Sequence, residues 1–285
     1  MHNARSDSMN EHSVRCPYFV LAHHRSGSNF LNDLLQSHPR IECINEPFSM
    51  HTPHFRQCDL VPWTQSEFDP ELLHRSLAEQ ITLRAYLFEF REYLRQSSAT
   101  RVIGFKDTVL FGKLEWLKAF MPSLKILFLK RDPRSIVSSL LRSNLLAFWN
   151  YAELVPPAFG LLFPHYRSAV APMDEATKAA EVAAMSVAVR YALAQRSIGL
   201  FEHKVLWLDE LARQPQAGLA ALAGFLGVEP HPAQLAFLQQ RQAASRGGAF
   251  SSFRTREDVE HTWSRHLQPA QVRVVDDVLR AAGTA

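Results

Sequence analysis

The stretch from Tyr18 to Leu35 limits the possible folds of this chain more than any other part of it. Tyr18 to Ala22 are apolar or small and predict a short buried strand, while the apolar residues among 30–35 recur at the spacing of one helix face. Polar and small residues fill positions 23–29 between the two. The stretch therefore predicts a strand, a tight loop and a helix.

The loop at 23–29 has the composition of an anion-binding site. A loop between a strand and a helix directs backbone N–H groups and the positive end of the helix dipole at one point. Gly27 allows a ligand to approach the backbone closely, and Arg25 contributes a fork-shaped cation. Side-chain hydrogen bonds can come from Ser26, Ser28 and Asn29. The alternative is an ordinary turn with the helix N-cap at Ser28 or Asn29.

The same loop differs from the GxxxxGKS/T loop of nucleotide triphosphatases, because it has no Lys-Ser or Lys-Thr pair to bind phosphate and Mg²⁺. This difference argues against ATP hydrolysis. Residue for residue, HHRSGSN resembles the 5′-phosphosulfate loop of sulfotransferases that use 3′-phosphoadenosine-5′-phosphosulfate (PAPS), in particular their bacterial and carbohydrate branch. His24 stands where that branch has proline. We expect the departure to be tolerated, because the backbone and Arg25 face the anion.

A second strand-to-helix turn follows later in the chain. Lys125 to Leu129 is the most strand-like run of the sequence, and the loop that starts at Lys130 passes into a helix predicted to end near Asn144. One such turn with a cation is a weak signal. Two of them in one parallel sheet indicate a ligand with two separated phosphate groups.

The sequence of this second turn, RDPRSIVSSLLRS, resembles the 3′-phosphate-binding segment of carbohydrate sulfotransferases. The resemblance implies that Arg131 and Ser139 bind the 3′-phosphate of the nucleotide. Spacing alone leaves Ser138 open as the serine in question. The structural alternative is that Arg131 pairs with Asp132 or with a carboxylate of the core.

Glu46 is the candidate general base. Ile41 to Ile44 predict a second strand, and Glu46 follows it immediately before a proline, which can hold the carboxylate stiffly at the edge of a cleft. The alternative is a solvated loop carboxylate. The resemblance favours catalysis, because a glutamate at this distance from the phosphosulfate loop acts as the base in carbohydrate and tyrosylprotein sulfotransferases. Thr108 stands where the cytosolic branch has its catalytic histidine.

Besides Glu46 and Arg25, Lys106 is the third candidate for a catalytic role. Val102 to Phe105 predict a buried strand that delivers Lys106 and Asp107 at its carboxyl end, the edge at which open α/β sheets bind ligands. Lys106 can contact the transferred group or the acceptor. The alternative is a surface lysine at a strand end.

The rest of the chain supplies weaker signals. Residues 145–171 are aromatic and broken by prolines, which predicts a poor continuous helix and either an acceptor-side insertion over the cleft or simply packed core edge. Val205 to Leu208, followed by Asp209, resembles a Walker B strand, although sulfotransferases have a similar strand. Arg246 lies in a flexible loop where the cytosolic branch has a basic-glycine motif, so it is a weak nucleotide-binding candidate.

Composition excludes several classes of protein. A net charge of +3 gives no support to a nucleic-acid-binding protein. The three cysteines have no metal-ligand spacing and predict reduced thiols in a cytoplasmic protein. His51 and His54 lack further ligands nearby, so no metal site is predicted. Neither a signal peptide nor a membrane span is predicted, and residues 1–15 are expected to be a disordered tail.

Together these observations predict a single α/β domain over 16–285, a P-loop-NTPase-like three-layer sandwich with a parallel sheet flanked by helices. The resemblance implies a metal-independent sulfotransferase that uses PAPS as co-substrate. Its expected partner is a carbohydrate, glycolipid or related small-molecule acceptor. The alternatives are a kinase or NTPase that acts on a small molecule, and a nucleotide-binding protein without catalysis.

Overall fold

Five parallel strands lie at the centre of the computed structural model, which describes residues 16–48, 67–69, 81–98, 101–168, 170, 172–243 and 255–283. The strands are β1 (Tyr18–Ala22), β2 (Ile41–Asn45), β3 (Val102–Asp107), β4 (Lys125–Lys130) and β5 (His203–Trp207). They pair in the order β2-β3-β1-β4-β5, and every pairing is parallel. The predicted parallel α/β sheet is confirmed.

Helices connect and cover these strands within the described residues. They are α1 (Ser28–Gln36), α2 (Ile81–Ser97), α3 (Leu114–Phe120), α4 (Pro133–Leu141), α5 (Leu145–Phe148), α6 (Tyr151–Leu162), α7 (Glu175–Ser197), α8 (Leu208–Arg213), α9 (Pro215–Leu226), α10 (Pro232–Gln242), α11 (Arg256–His261) and α12 (Pro269–Ala281). Short 3-10 turns occur at Phe111–Lys113, Ile198–Leu200 and Thr262–Arg265.

Alternate residues of the strands enter two hydrophobic cores, one on each face of the sheet. Phe19 and Leu21 of β1 belong to one core, which also contains apolar residues of α2, α3, α4, α6, α7 and α12. Tyr18 and Val20 belong to the other, together with residues of α1, α8, α9 and α10. Since β1 is buried on both faces, it reads as a continuous apolar run. The helices therefore form two layers around the sheet, as predicted.

The order of the strands places a crevice between β1 and β4. The chain leaves β1 towards β2 at one end of the sheet and leaves β4 towards β5 at the other, yet β1 and β4 are neighbours. In open α/β sheets, ligands bind at this switch in direction, outside the carboxyl ends of the two strands. The β1–α1 loop and the β4–α4 loop both begin there.

Several element boundaries differ from the prediction. β5 begins at His203 rather than Val205, because His203 pairs with Ile126, and Leu208 is already the first residue of α8. Helix α4 ends at Leu141 rather than near Asn144. Gly227 ends α9 in the left-handed conformation, with φ 68, as expected for a helix stop.

The segment after α4 is more helical than its prolines predicted. Helix α6 continues through Pro156 and Pro157, so the expectation of a poor continuous helix is wrong for this part. Proline removes the hydrogen bonds to the carbonyl groups of Ala152 and Glu153, but both residues are exposed, where water can replace the lost donors. On the opposite face, Tyr151 and its apolar neighbours Val155 and Phe159 are buried in the core.

Other predictions lie outside the described residues. These are the disordered tail at 1–15, the histidines His51 and His54, and Arg246. The sequence also predicts a long helix that starts at Asp69-Pro70 and ends near Ser97, and its part before Ile81 lies outside the described residues as well. In the described part of the chain, Cys16 and Cys43 are free thiols. None of the helices described there is long and apolar enough to span a membrane.

Candidate active site

The β1–α1 loop is closed by its own backbone. The carbonyl oxygen of His23 accepts hydrogen bonds from the backbone N–H of Ser26 (3.1 Å) and from its hydroxyl (2.7 Å). Ser26 is fully buried. Both donors of Ser26 therefore close the turn, and the phosphate contact predicted for its hydroxyl stays a prediction.

Gly27 is required at the start of α1 for two reasons. Its φ is 91, a left-handed conformation that residues with a Cβ rarely adopt. A Cβ there would also lie 2.6 Å from Cδ2 of Leu208. Gly27 itself is the N-cap and no side chain caps the helix, so the alternative of a cap at Ser28 or Asn29 is wrong. The first N–H groups of α1 are consequently directed at the loop, without acceptors inside the helix.

The two predicted anion loops are in direct contact. Arg25 has φ 68 and donates from Nε to the hydroxyl of Ser139 in α4, at 2.9 Å. Arg131, which follows β4, donates from Nη1 to the carbonyl oxygen of Arg25 (3.2 Å) and from Nη2 to that of Val259 (3.3 Å). These bonds of Arg131 go to carbonyl groups, and the charge of Arg131 also lowers the pKa of the buried Asp209 carboxylate, against the larger effect of burial. The contacts place both cations in one crevice.

The serines of α4 differ in their surroundings. Ser139 accepts the hydrogen bond from Arg25. Ser138 is buried, and its hydroxyl has no hydrogen-bond partner in the described part of the structure. A buried hydroxyl without a partner costs free energy unless a ligand or water satisfies it. The assignment of the 3′-phosphate to Ser139 rather than Ser138 stays a prediction.

Asp132 and Asp209 order the start of α4. The Asp132 carboxylate accepts from the backbone N–H of Arg134 at 2.8 Å and caps the helix, with Pro133 in the first position. Asp209 in turn accepts from the N–H of Asp132 at 3.0 Å, and burial raises the pKa of Asp209. The acidic residue that resembled Walker B therefore supports the second anion loop. Within the described ranges, no cluster of His, Cys, Asp and Glu could hold a metal ion.

Glu46, Lys106 and Asn29 form the second part of the site. The Lys106 ammonium donates to Oε1 of Glu46 at 2.6 Å and to Oδ1 of Asn29 at 2.9 Å. The side chain of Lys106 is 0% exposed, which excludes the alternative of a surface lysine, whereas that of Glu46 is 32% exposed. Lys106 therefore lies behind the carboxylate and ties it to the first residues of α1.

The backbone at Glu46 is held in an unusual conformation. Its φ is 48, although the following residue is Pro47. The N–H of Glu46 donates to the carbonyl oxygen of Lys106 at 2.8 Å, and the Tyr86 hydroxyl donates to that of Pro47 at 2.9 Å. Such strain persists only where surrounding contacts determine the conformation, and it is common at functional sites. These bonds hold the backbone at Glu46, and the position of its carboxylate at a cleft edge stays a prediction.

Asp107 is a site residue to which sequence reasoning gave no role. Its carboxylate accepts from the N–H groups of Thr108 (2.7 Å), Val109 (3.2 Å) and Phe48 (3.2 Å). It thus fastens the turn that carries Glu46 to the end of β3. Burial, followed by the charge of Glu46, raises the pKa of Asp107 to about 7. The sequence did contain a signal for Asp107, because an acidic residue at the carboxyl end of a buried strand is a candidate for a functional site.

Trp149, between α5 and α6, brings the aromatic segment to the β1–α1 loop. Its ring stacks on His24, with ring centroids 6.2 Å apart and an interplanar angle of 20°. Burial lowers the pKa of His24 well below its usual value, and nearby cations lower it further, Arg190 first among them. A neutral imidazole therefore occupies the position next to Arg25.

Comparison with known proteins gives a consistent result. Residues 17–232 match the model of the Sulfotransferase family. A search of curated proteins found no significant match. Three of the similar solved structures are the sulfotransferase domain from the curacin biosynthetic pathway, the sulfotransferase domain of the Synechococcus olefin synthase, and a mouse sulfotransferase complexed with PAP (adenosine 3′,5′-bisphosphate).

The likeness to these three structures extends over nearly the whole chain. The curacin domain is 18% identical, with a TM-score of 0.51, and the match covers 93% of this chain and 98% of that one. The olefin synthase domain is 17% identical, with a TM-score of 0.52 and coverage of 95% of both chains. The mouse protein is 11% identical, with a TM-score of 0.53 and coverage of 95% of this chain and 85% of that one. At these identities, the likeness establishes the fold alone.

Proposed function

This chain is an enzyme of the sulfotransferase family, and we propose that it transfers the sulfuryl group of PAPS to a hydroxyl of a carbohydrate, glycolipid or related small molecule, with Glu46 as general base. The observation that carries the proposal is the 2.9 Å hydrogen bond between Arg25 and Ser139. It joins two cationic loops into one crevice, and a nucleotide with phosphate groups at both ends of its ribose requires two such loops.

The residues of the crevice fit this donor. Arg25 and the first N–H groups of α1 receive the 5′-phosphosulfate, while Arg131 and Ser139 receive the 3′-phosphate. The unsatisfied hydroxyl of Ser138 adds a further donor beside them. The mouse sulfotransferase of similar fold is complexed with PAP, which supports the same class of nucleotide here. We assign Ser26 to closing the loop, because its hydroxyl and its N–H both bond to His23.

In the proposed reaction, the acceptor oxygen attacks sulfur and its O–H proton passes to Glu46. The bond between sulfur and the bridging phosphate oxygen breaks, and its electron pair leaves with adenosine 3′,5′-bisphosphate (PAP). Arg25 stabilises the charge that develops on the departing phosphate. Lys106 fixes Glu46 next to α1, at 2.6 Å from the carboxylate, so that the base is positioned before the acceptor arrives.

Trp149 supports an acceptor with a ring or an apolar face. Through its stacking on His24, the aromatic segment at 145–171 adjoins Arg25, where the hydroxyl has to meet the sulfuryl group. The carbohydrate-type sequences of the two anion loops favour a sugar hydroxyl. Free thiols at Cys16 and Cys43 agree with the proposed cytoplasmic location.

The test is a comparison of nucleotides by calorimetry on the full chain. PAP is expected to bind without a divalent metal ion and more tightly than Mg-ATP. If Mg-ATP binds and PAP does not, the chain is a kinase or NTPase and the proposal is wrong. Incubation with labelled PAPS and pools of glycans, glycolipids and phenolic natural products then identifies the acceptor, and labelling of the glycan pool is the expected result.

A further inference from the structure

Three buried side chains lie directly behind the β1–α1 loop. They are His23, which directly follows β1, Arg190, in the second half of α7, and Glu67. The side chains of Arg190 and Glu67 are both 0% exposed, and His23 is fully buried as well. A charged pair with no access to water has a high desolvation cost, which the hydrogen bonds of both partners have to offset.

Arg190 connects the other two residues. Its Nε donates to Oε2 of Glu67 at 2.9 Å, and its Nη1 lies 3.1 Å from Nε2 of His23. The second oxygen of Glu67 accepts from the backbone N–H of Phe111 at 2.7 Å. The guanidinium also lies over the ring of Tyr151, at 5.2 Å from its centroid. Contacts on several sides therefore fix the position of Arg190.

The contacts of His23 with the His24 carbonyl and with Arg190 indicate its tautomer, and the ring also bonds to the backbone of Ser186. Its Nδ1 lies 2.7 Å from the carbonyl oxygen of His24, which can only accept, so Nδ1 carries the proton. Arg190 can only donate, so Nε2 of His23 is the unprotonated nitrogen. Burial lowers the pKa of His23 well below its usual value, and the charge of Arg190 lowers it further, which keeps the ring neutral.

His23 in turn holds both ends of the turn in the phosphate loop. Its ring binds the carbonyl of His24, and its own carbonyl accepts two hydrogen bonds from Ser26. Arg25, between these two residues, has φ 68, a conformation that is unfavourable for a residue with a Cβ. The contacts of His23 thus determine the backbone on both sides of Arg25.

We propose that Arg190 is a positioning residue for the sulfuryl donor: together with Glu67 it orients the His23 ring, which holds the His24 carbonyl and keeps Arg25 in the left-handed conformation. The guanidinium of Arg25 then points at Ser139. This inference rests on the proposed function, because it takes the phosphate loop to be the site of the donor. Arg190 touches neither donor nor acceptor and acts through His23.

The main test uses the double variant Glu67→Gln/Arg190→Met in the full chain. Replacing Arg190 alone leaves a buried carboxylate without its partner, which can prevent folding. The double variant removes both charges, and the side-chain amide that Glu67→Gln introduces retains an oxygen for the N–H of Phe111. We expect the thermal midpoint to stay near that of the wild type and the dissociation constant for PAP to rise about tenfold or more. Unchanged PAP affinity in the folded double variant would overturn the proposal.

Val189→Ala is the matched control. Val189 precedes Arg190 in α7 and is buried in the same core, but no hydrogen bond connects its side chain to the loop. The control is expected to lower the thermal midpoint and leave PAP affinity within about twofold of the wild type. If it weakens PAP binding as much as the double variant does, general loosening of the core explains the effect and the positioning role is overturned.

A spectroscopic measurement separates this proposal from the proposed function. In protein with ¹⁵N-labelled histidine, the His23 ring is expected to be neutral with its proton on Nδ1, and to lose this single tautomer in the double variant. A proton on Nε2 in the wild type would overturn the proposed relay, whatever the nucleotide. Failure of the wild type to bind PAP, with the Nδ1–H tautomer present, would instead contradict the proposed function alone.

Discussion

Arg25 donates a hydrogen bond to Ser139 across 2.9 Å, although the two residues are 114 positions apart in the sequence. Arg25 follows β1 and Ser139 lies in α4, which follows β4. These two strands are neighbours in the sheet, and their connections leave in opposite directions. The contact converts two ordinary strand-to-helix turns into a single crevice with two cations.

Glu46→Gln tests the general base. The variant keeps the shape of the side chain but cannot take the acceptor proton, so we expect turnover to fall by about a hundredfold or more, with PAP binding intact. Steady-state kinetics with labelled PAPS and calorimetry with PAP give the two quantities. Glu42→Gln is the control, because Glu42 lies in β2, the strand that Glu46 follows, and pairs with Arg101 at the surface. Unchanged turnover in Glu46→Gln would remove this residue from the mechanism.

Ser139→Ala and Ser138→Ala distinguish the two serines of α4. We expect the Ser139 variant to weaken PAP binding by about 1.5 kcal/mol or more, because it loses a hydrogen bond to a charged group and the partner of Arg25. The Ser138 variant is expected to have a smaller effect. Calorimetry on both variants measures the difference, and a larger loss in Ser138→Ala would reverse the assignment.

Gly27→Ala tests the geometry of the phosphate loop. The methyl group would meet Leu208 at 2.6 Å and force a residue with a Cβ to adopt φ 91. We expect a loss of about 2 kcal/mol in the free energy of unfolding, measured with urea, and weaker PAP binding. In the control Gly224→Ala, a Cβ on helix α9 meets nothing within 4 Å, so stability is expected to rise slightly. Equal stability changes in the two variants would contradict the strained loop.

Lys113→Met tests whether the buried ammonium group of Lys113 makes the stability of the protein depend on pH. Burial lowers the pKa of Lys113 from 10.5 to about 8, so between these values the unfolded chain binds more protons than the folded one. The lysine therefore makes the wild type more stable as pH rises through this window. Between about pH 7.5 and about pH 9.5, the free energy of unfolding of the variant is expected to rise by about 2 kcal/mol less than that of the wild type. Parallel stability curves for the two proteins would contradict the shifted pKa.

The sequence predicted the fold because the fold depends on local patterns. Runs such as Tyr18–Ala22 and Lys125–Leu129 are apolar over their whole length, or nearly so, and strands buried on both faces require that composition. Parallel pairing followed from the alternation of strands and helices. The prolines of α6 misled the prediction, since burial against the core outweighs the two hydrogen bonds that they remove.

The candidate site could be predicted only where a residue lies in a local motif. Arg25, Gly27 and Arg131 belong to such motifs, and the structure brings them together. The pairing of Arg190 with Glu67 depends on the packing of α7 against the sheet, and sequence spacing gives no signal for it. Ser26 is of a residue type that often binds phosphate, yet its hydroxyl donates to the carbonyl oxygen of His23. This direction depends on the conformation of the loop, which sequence spacing does not predict.

The most direct test of the account is the effect of Arg131→Ala on the binding of PAP and of AMP, which lacks the 3′-phosphate. If the two loops bind opposite ends of one nucleotide, the variant loses about 2 kcal/mol or more of PAP affinity and binds AMP as the wild type does. Arg134→Ala, whose wild-type side chain pairs with Asp276, is the control and is expected to change neither affinity. An equal loss for PAP and AMP in Arg131→Ala would contradict the assignment of the second loop to the 3′-phosphate.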